Sequence, residues 1–245
     1  MFAESLPTLV FLHAFPLDRE MWRPQIAALG GQANLVALDL PGFGQAPFDD
    51  SFTVDSAADD VANSVSGKIV LAGLSMGGYV AMAFARRHAD RLSGLILADT
   101  RSDPDDGAGK LNRDRLIALT KEFGPSKVYE AMIPKLLCEE TRANRRDVVE
   151  ELKRIAARQT AAGVVGGLRA LRDRPDATPE LARVVVPTLI LVGEHDEVTP
   201  PALAEGMARA IPGSNLVVIP QAGHLSNLEN PAAFNSAIGE FLKQI

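Results

Sequence analysis

Six stretches of this chain are apolar with no polar alternation: Thr8 to His13, Leu35 to Leu40, Ile69 to Leu74, Gly94 to Asp99, Val186 to Val192 and Leu216 to Ile219. A strand with one wet face alternates. A run of Val, Ile and Leu without alternation needs cover on both faces, which is the situation of a parallel strand between two layers of helix. Helix-like stretches lie between the runs and have readable ends. Thr199-Pro200 and Asn230-Pro231 each predict an N-cap followed by proline at the first helical position. Gly124-Pro125 predicts one helix stopping and another starting. The expected class is α/β, with a mostly parallel sheet of about six strands flanked by helices.

Residues 101 to 180 interrupt the alternation and contain no convincing strand. They predict short helices over Leu111 to Phe123, Pro125 to Leu137, Arg145 to Gln159 and Val164 to Arg172, with Asn144 and Asp147 resembling a capping box. This segment carries 16 Lys+Arg and 14 Asp+Glu, whereas the rest carries 9 and 17. A mixed-charge helical insertion (101–180) in an acidic core domain (1–100 and 181–245) is therefore expected.

One junction carries chemistry. The run Lys68 to Ala72 leads into Gly73-Leu74-Ser75-Met76-Gly77-Gly78, which leads into the helix-competent Tyr79 to Ala85. Strand, tight turn, serine and helix in that order hold a hydroxyl out at the end of a strand, with the N-terminus of the next helix aimed at the same place. Large side chains two residues either side of the serine would clash in such a turn, and Gly73 and Gly77 remove them.

A serine hydroxyl needs a base, and the base needs a carboxylate to fix its tautomer and stabilise its charge. Four histidines are available. His88 follows Arg86-Arg87 and reads as a solvated residue at a helix C-terminus. His195, between Glu194 and Asp196, reads as pointing away from Asp196. His13 ends the first strand. His224, in the glycine-containing loop after the last strand, can swing over the carboxyl edge of the sheet and is the candidate base. Asp196, within three residues of the run ending at Gly193, is the first choice for the acid. Asp99, at the end of the neighbouring strand, is the second, and Glu194 and Glu197 come behind both. Charge that develops on a carbonyl oxygen needs preorganised donors. The Met76 N–H, at the start of the helix, is one candidate. The Phe15 N–H, in the loop after the first strand, is the other, because Pro16 has no N–H to offer. His13 then braces that loop.

Composition narrows the function classes. With 47% hydrophobic residues and both charge signs present, the chain is expected to fold as a soluble protein. A net charge of −6 disfavours nucleic acid as a partner. The one cysteine, Cys138, cannot form an internal disulfide and reads as a small semi-buried hydrophobe. No Cys/His spacing suggests zinc, so no metal and no cofactor are called for. Met1 to Pro7 lacks the features of a signal peptide, and no stretch has the length of a membrane span, so a cytoplasmic location is expected.

Taken in order, Leu12-His13-Ala14-Phe15-Pro16, Asp39-Leu40-Pro41-Gly42-Phe43-Gly44, Gly73 to Gly78, Gly193-Glu194-His195-Asp196 and Gly223-His224 resemble the α/β-hydrolase superfamily, in its compact carboxylesterase and 3-oxoadipate enol-lactonase-like branch. The pieces span nearly the whole chain, and Ser75, Asp196, His224 is the triad order of that family. The resemblance implies an eight-stranded parent sheet with a helical cap after the sixth parent strand, which 101–180 fits. The chain departs from the pattern twice. Ala14 replaces the glycine usual before the oxyanion residue, so the loop must avoid φ > 0 there or accept strain. Only about five residues precede the first strand, so the two leading antiparallel strands of the parent are not expected. Pro16 after Phe15 is similar to the cofactor-free haloperoxidase and perhydrolase relatives.

The resemblance implies a serine hydrolase that cleaves carboxylic esters of small to medium acyl chains through an acyl-enzyme, with a small-molecule ester or lactone as its partner. An enol-lactone hydrolase, with Arg169 or Arg172 as a cation near the pocket, or a cofactor-free perhydrolase of the same fold is the alternative. A small-ligand sensor that retains the triad is the alternative from another class. Halide-displacing and epoxide-opening relatives need an aspartate where Ser75 stands.

Overall fold

A computed structural model describes residues 6–245; the expectation that no leader peptide begins the chain rests in part on Met1 to Ser5, outside the described residues. The strands are β1 (Thr8–Leu12), β2 (Asn34–Leu38), β3 (Ile69–Leu74), β4 (Leu92–Ala98), β5 (Thr188–Gly193) and β6 (Asn215–Ile219). Each lies within two residues of its apolar run. They form one sheet in the order β2-β1-β3-β4-β5-β6, with every neighbouring pair parallel.

The helices of the sheet layer are α1 (Arg23–Leu29), α2 (Val54–Ser64) and α3 (Met76–Arg87), followed, after the insertion, by α9 (Pro201–Ala210), α10 (Ser226–Glu229) and α11 (Pro231–Leu242). Side chains of a strand point alternately to opposite faces, and β1 shows the result. Leu9 and Phe11 join a core with Leu29 of α1 and Phe234 and Ile238 of α11. Val10 and Leu12 join another with Val61 of α2, Val80 of α3 and Ala204 of α9. Both faces of β1, β3, β4 and β5 are covered, which is why these strands need no polar alternation; the edge strands β2 and β6 are only partly buried.

Between β4 and β5 come α4 (Gly107–Phe123), α5 (Pro125–Leu136), α6 (Glu139–Asn144), α7 (Arg146–Ala157) and α8 (Ala161–Asp173). The helix α6 was not expected. Asn144 ends it, so the anticipated capping box with Asp147 is not formed; Asp147 instead takes an ion pair from Arg145 at 2.8 Å. The two ends of the insertion are tied together: Ala177 N–H donates to Ser102 O at 2.9 Å, and the Ser102 and Thr178 hydroxyls are 2.9 Å apart. Arg174, buried beside this tie, bonds Asp105 at 2.7 Å and stacks over the Tyr79 ring at 4.3 Å. A second attachment joins the two residues that follow α7 to the loop after β1. The buried Asp18 carboxylate accepts two bonds of 2.6 Å from Arg158 and one of 2.8 Å from Gln159. No helix of the described residues is long and apolar enough to cross a membrane.

Candidate active site

The chain runs from β1 outward to β2 and then returns to β3 on the other side of β1. At such a reversal the loops after two adjacent strands diverge and leave a crevice at the carboxyl ends. Leu12 is in register with Gly73, so the loop after β1 and the turn after β3 open side by side. Ser75 occupies that turn with φ 53° and ψ −111°, a backbone conformation that carries strain for a residue with a Cβ. A Cβ at Gly73 would lie 2.1 Å from Gly77 O, and one at Gly77 would lie 2.2 Å from Leu12 O. Both glycines are therefore required by close approach of backbone, as expected. The turn is fastened by Ser75 N–H donating to Ala98 O at 2.9 Å and by the Thr100 hydroxyl donating to Ser75 O at 2.9 Å.

Three side chains distant in sequence meet here. His224 Nε2 lies 2.9 Å from Ser75 Oγ, and His224 Nδ1 lies 2.8 Å from Asp196 Oδ2. With an ionised Asp196, Nδ1 carries the proton and Nε2 is left to accept the serine hydroxyl's. Asp196 has further donors: Val198 and Thr199 N–H, each at 2.8 Å on Oδ1, and the Thr199 hydroxyl at 2.7 Å on Oδ2. Burial works against the Asp196 charge, but the charge and hydrogen bond of His224 and the donors of Thr199 outweigh it and hold this carboxyl below the usual carboxylate range. Thr199 is thus not the helix cap that Thr199-Pro200 predicted. Pro200 takes that position, α9 starts at Pro201, and the hydroxyl is spent on the acid. The short Asp196 to Thr199 spacing, which lets an aspartate fold over its own following N–H groups, is the signal that could have found it.

Asp99 meets Asp196 from the end of the neighbouring strand but makes different bonds. Its carboxyl accepts Gly193 N–H at 2.8 Å and the Ser226 hydroxyl at 2.5 Å, and makes no hydrogen bond to His224. Burial first, and then the charge of Asp196, push it well above the usual range. Glu229 is the residue that sequence reasoning missed. It is buried, and its carboxyl accepts the N–H groups of Gly223 and Cys138, each at 2.8 Å. No motif marks it.

The Phe15 and Met76 N–H groups make no hydrogen bond among the described residues; Met76 follows Ser75 as the first residue of α3, and Phe15 lies in the loop after β1. Ala14 avoids the positive-φ region, so the alanine brings no backbone strain; it is buried with its N–H 3.2 Å from Met21 Sδ. His13 braces the loop. Its Nδ1 donates to Ala14 O at 3.0 Å and its Nε2 accepts Leu40 N–H at 2.9 Å, which ties the loop to the segment after β2. Burial lowers its pKa. His88 is less solvated than expected: it caps α3 and its Nε2 lies 2.7 Å from Asp59. His195 is exposed, and its Nε2 is 3.8 Å from Glu194. Arg172 is engaged with Asp114 and Asp173, each at 2.7 Å, and Arg169 is exposed on α8. A cavity of about 260 Å³ runs beside α3 between Tyr79, Met82 and Leu181, but no triad residue lines it. Its arginines are already paired, Arg86 with Asp55, Arg174 with Asp105 and Arg183 with Glu180. Among the described residues no group of three or more His, Cys, Asp and Glu side chains is gathered closely enough to hold a metal ion.

A parallel sheet with a helical insertion, a strained serine at its switch point and a buried His–Asp pair in reach define the class, and the family match agrees with it. The model of the alpha/beta hydrolase family matches residues 9–237, and the chain belongs to that family. Its relatives include esterases and enol-lactonases. The chain is similar to a thermophilic esterase from Thermogutta terrifontis solved with malate bound (42% identity, TM-score 0.94, covering 98% of this chain and 90% of that one). It is also similar to a pimeloyl-[acyl-carrier protein] methyl ester esterase of Neisseria meningitidis serogroup C (28% identity, covering 99% and 96%) and to the enol-lactonase from Burkholderia xenovorans LB400 (26% identity, TM-score 0.90, covering 99% and 94%).

Proposed function

We propose that the protein is a serine hydrolase that cleaves carboxylic esters of small to medium acyl chains through an acyl-enzyme. The observation that carries this reading is the unbroken relay from Ser75 Oγ through His224 to Asp196, with bonds of 2.9 and 2.8 Å. In the first half-reaction Ser75 Oγ bonds to the ester carbonyl carbon as its proton passes to His224 Nε2. Asp196 stabilises the resulting imidazolium, and the Phe15 and Met76 N–H groups receive the oxyanion. The alcohol leaves with the proton from Nε2. Water then repeats the sequence on the acyl-enzyme, giving its proton to Nε2 and releasing the acid, and Ser75 is restored. No cofactor takes part in these steps. Segment 101–180 serves as a cap over the site in this reading, with its apolar side chains supplying an apolar acyl pocket.

Ser75→Ala is expected to abolish steady-state hydrolysis of a p-nitrophenyl ester while the protein stays folded. Retained turnover in that variant overturns the assignment. The likeness to an enol-lactonase favours a second reading in which the ester is cyclic and the alcohol stays tethered. Arg172, one of the two arginines it would call on, argues against it, being engaged with two aspartates. Rates on a lactone and a linear ester, compared on one preparation, separate the two, and adding peroxide to the same assay tests perhydrolysis. A single burst followed by a stalled adduct, in place of repeated turnover, would mark a sensor.

A further inference from the structure

His224 sits on a loop, and a catalytic group is only as well placed as whatever holds it. The N–H groups on either side of it, of Gly223 at 2.8 Å and Leu225 at 3.3 Å, converge on one oxygen of Glu229. The other oxygen accepts the Cys138 N–H at 2.8 Å. Cys138 belongs to the turn between α5 and α6, inside the insertion, 91 residues away in sequence. Glu229 itself is only 6% exposed. The two segments also touch directly. A Cβ at Gly223 would meet Cys138 N at 2.6 Å and Leu137 C at 3.1 Å. The α5–α6 turn therefore rests on the loop that carries the histidine, with a single buried carboxyl between them.

We propose that Glu229 is a positioning residue that couples the seating of the insertion to the placement of the His224 imidazole. It touches no reacting atom. When the turn is seated, both carboxyl oxygens are satisfied and the backbone is pinned on both sides of His224. When the turn lifts, a buried acceptor loses its donor, and the penalty falls on the group that holds the base. The coupling is reciprocal: whatever fixes His224 in its bonded position also favours the seated insertion. The activity readouts below rest on the proposed ester hydrolysis; the spectroscopic one does not.

The backbone at Cys138 permits a direct test. Cys138 has φ −64° and ψ 161°, and Leu137 before it has φ −122° and ψ 143°. Proline and a residue preceding proline adopt these angles without strain, so Cys138→Pro removes the N–H without asking for new backbone angles, and its ring carbon stands where that hydrogen met Glu229. Cys138→Ala removes the thiol and keeps the N–H. These two variants and Glu229→Gln are compared with the parent protein in kcat and KM on p-nitrophenyl butyrate, in the acid limb of the kcat–pH profile, and in the far-downfield proton resonance of the His224–Asp196 bond, which needs no turnover. Glu229→Gln and Cys138→Pro are each expected to lower kcat about tenfold or more with KM changed by less than about threefold, to displace the acid limb, and to shift or broaden the resonance. Cys138→Ala is expected to match the parent throughout. The proposal is overturned if Glu229→Gln and Cys138→Pro keep the parent's kcat, profile and resonance whatever their melting temperatures, or if Cys138→Ala loses as much as Cys138→Pro. Should Glu229→Gln fail to fold, Cys138→Pro decides alone. If the parent turns over no ester but the resonance moves in the two variants, the ester-hydrolase reading fails and the coupling stands.

Discussion

Two aspartates at the ends of adjacent strands show how surroundings assign roles to identical side chains. Asp196 is held as an anion by His224 and Thr199, while burial and the Asp196 charge hold Asp99 toward its neutral form. Asp196→Asn is expected to lower kcat by about four orders of magnitude, because the amide supports the wrong imidazole tautomer. Asp99→Asn, which imitates the neutral form, is expected to stay within about tenfold of the parent, by the modest worth of the hydrogen bonds it alters. Steady-state kinetics of the pair on one ester make the comparison, and a larger loss at Asp99 would exchange their roles. Both residues were legible as strand-end carboxylates, and the short reach from Gly193 favoured Asp196. The bonds that separate them were not legible, since the partners Thr199 and Ser226 declare themselves only when the loops after β5 and β6 meet. Thr199 in particular carries the same Thr-Pro signature whether its hydroxyl caps a helix or serves a carboxylate.

At the scale of elements, the four central strands were readable because double-sided burial leaves its mark along a run, and the partly exposed edge strands β2 and β6 were readable because their sequences are apolar all the same. The helices of the insertion were readable in number only roughly: α6 is six residues long, too short for a periodic pattern to emerge. How the insertion docks was not readable, because docking depends on what each helix faces. Thr160 caps α8, accepting the Gly163 N–H at 3.0 Å, and the helix then lies so close to the loop after β2 that a Cβ on Gly163 would come within 1.9 Å of Gly42 O. Gly163→Ala must therefore push α8 off its seat. A cost of about 1–3 kcal/mol is expected, read as a fall of roughly 2–10 °C in melting temperature. Scanning calorimetry checks it, and an unchanged transition would mean that this contact does not hold the insertion down.

Over the whole molecule, the titrating groups that join the pieces mostly push in one direction with pH. Burial holds His13 below its ordinary 6.5. Despite burial, arginine partners hold Asp18 and Asp105, and His224 with Thr199 hold Asp196, below the ordinary 3.8. For all four the folded form binds fewer protons than the unfolded chain, so their stabilisation is present above the unfolded pKa and is lost as pH falls. Asp99 has the opposite sign, its contribution being present in acid and lost as pH rises through its raised pKa. Between about pH 6.5 and pH 4 His13 and Asp99 therefore oppose each other, and the melting temperature is expected to fall clearly only below about pH 4, where the paired aspartates take up protons. Asp18→Asn should lower stability near neutrality and flatten the acid slope; an unaltered slope would remove Asp18 from the account. Asp18 ties the insertion to the loop after β1 through Arg158, whereas Asp105 braces the insertion internally through Arg113 and Arg174, so protonating Asp18 loosens the joint between the two pieces.

The tie between Ser102, Ala177 and Thr178 brings the departure and return of the inserted chain to one spot on the rim. A detour that starts and finishes at the same place can be exchanged for another without rethreading any strand. In the proposed hydrolase, selectivity can then be rewritten by swapping a single contiguous stretch, while Ser75, Asp196 and His224 keep their places. Under the coupling proposed above the swap carries one condition: the incoming stretch has to present an amide hydrogen where Cys138 now offers its own, or the loop of His224 loses its prop.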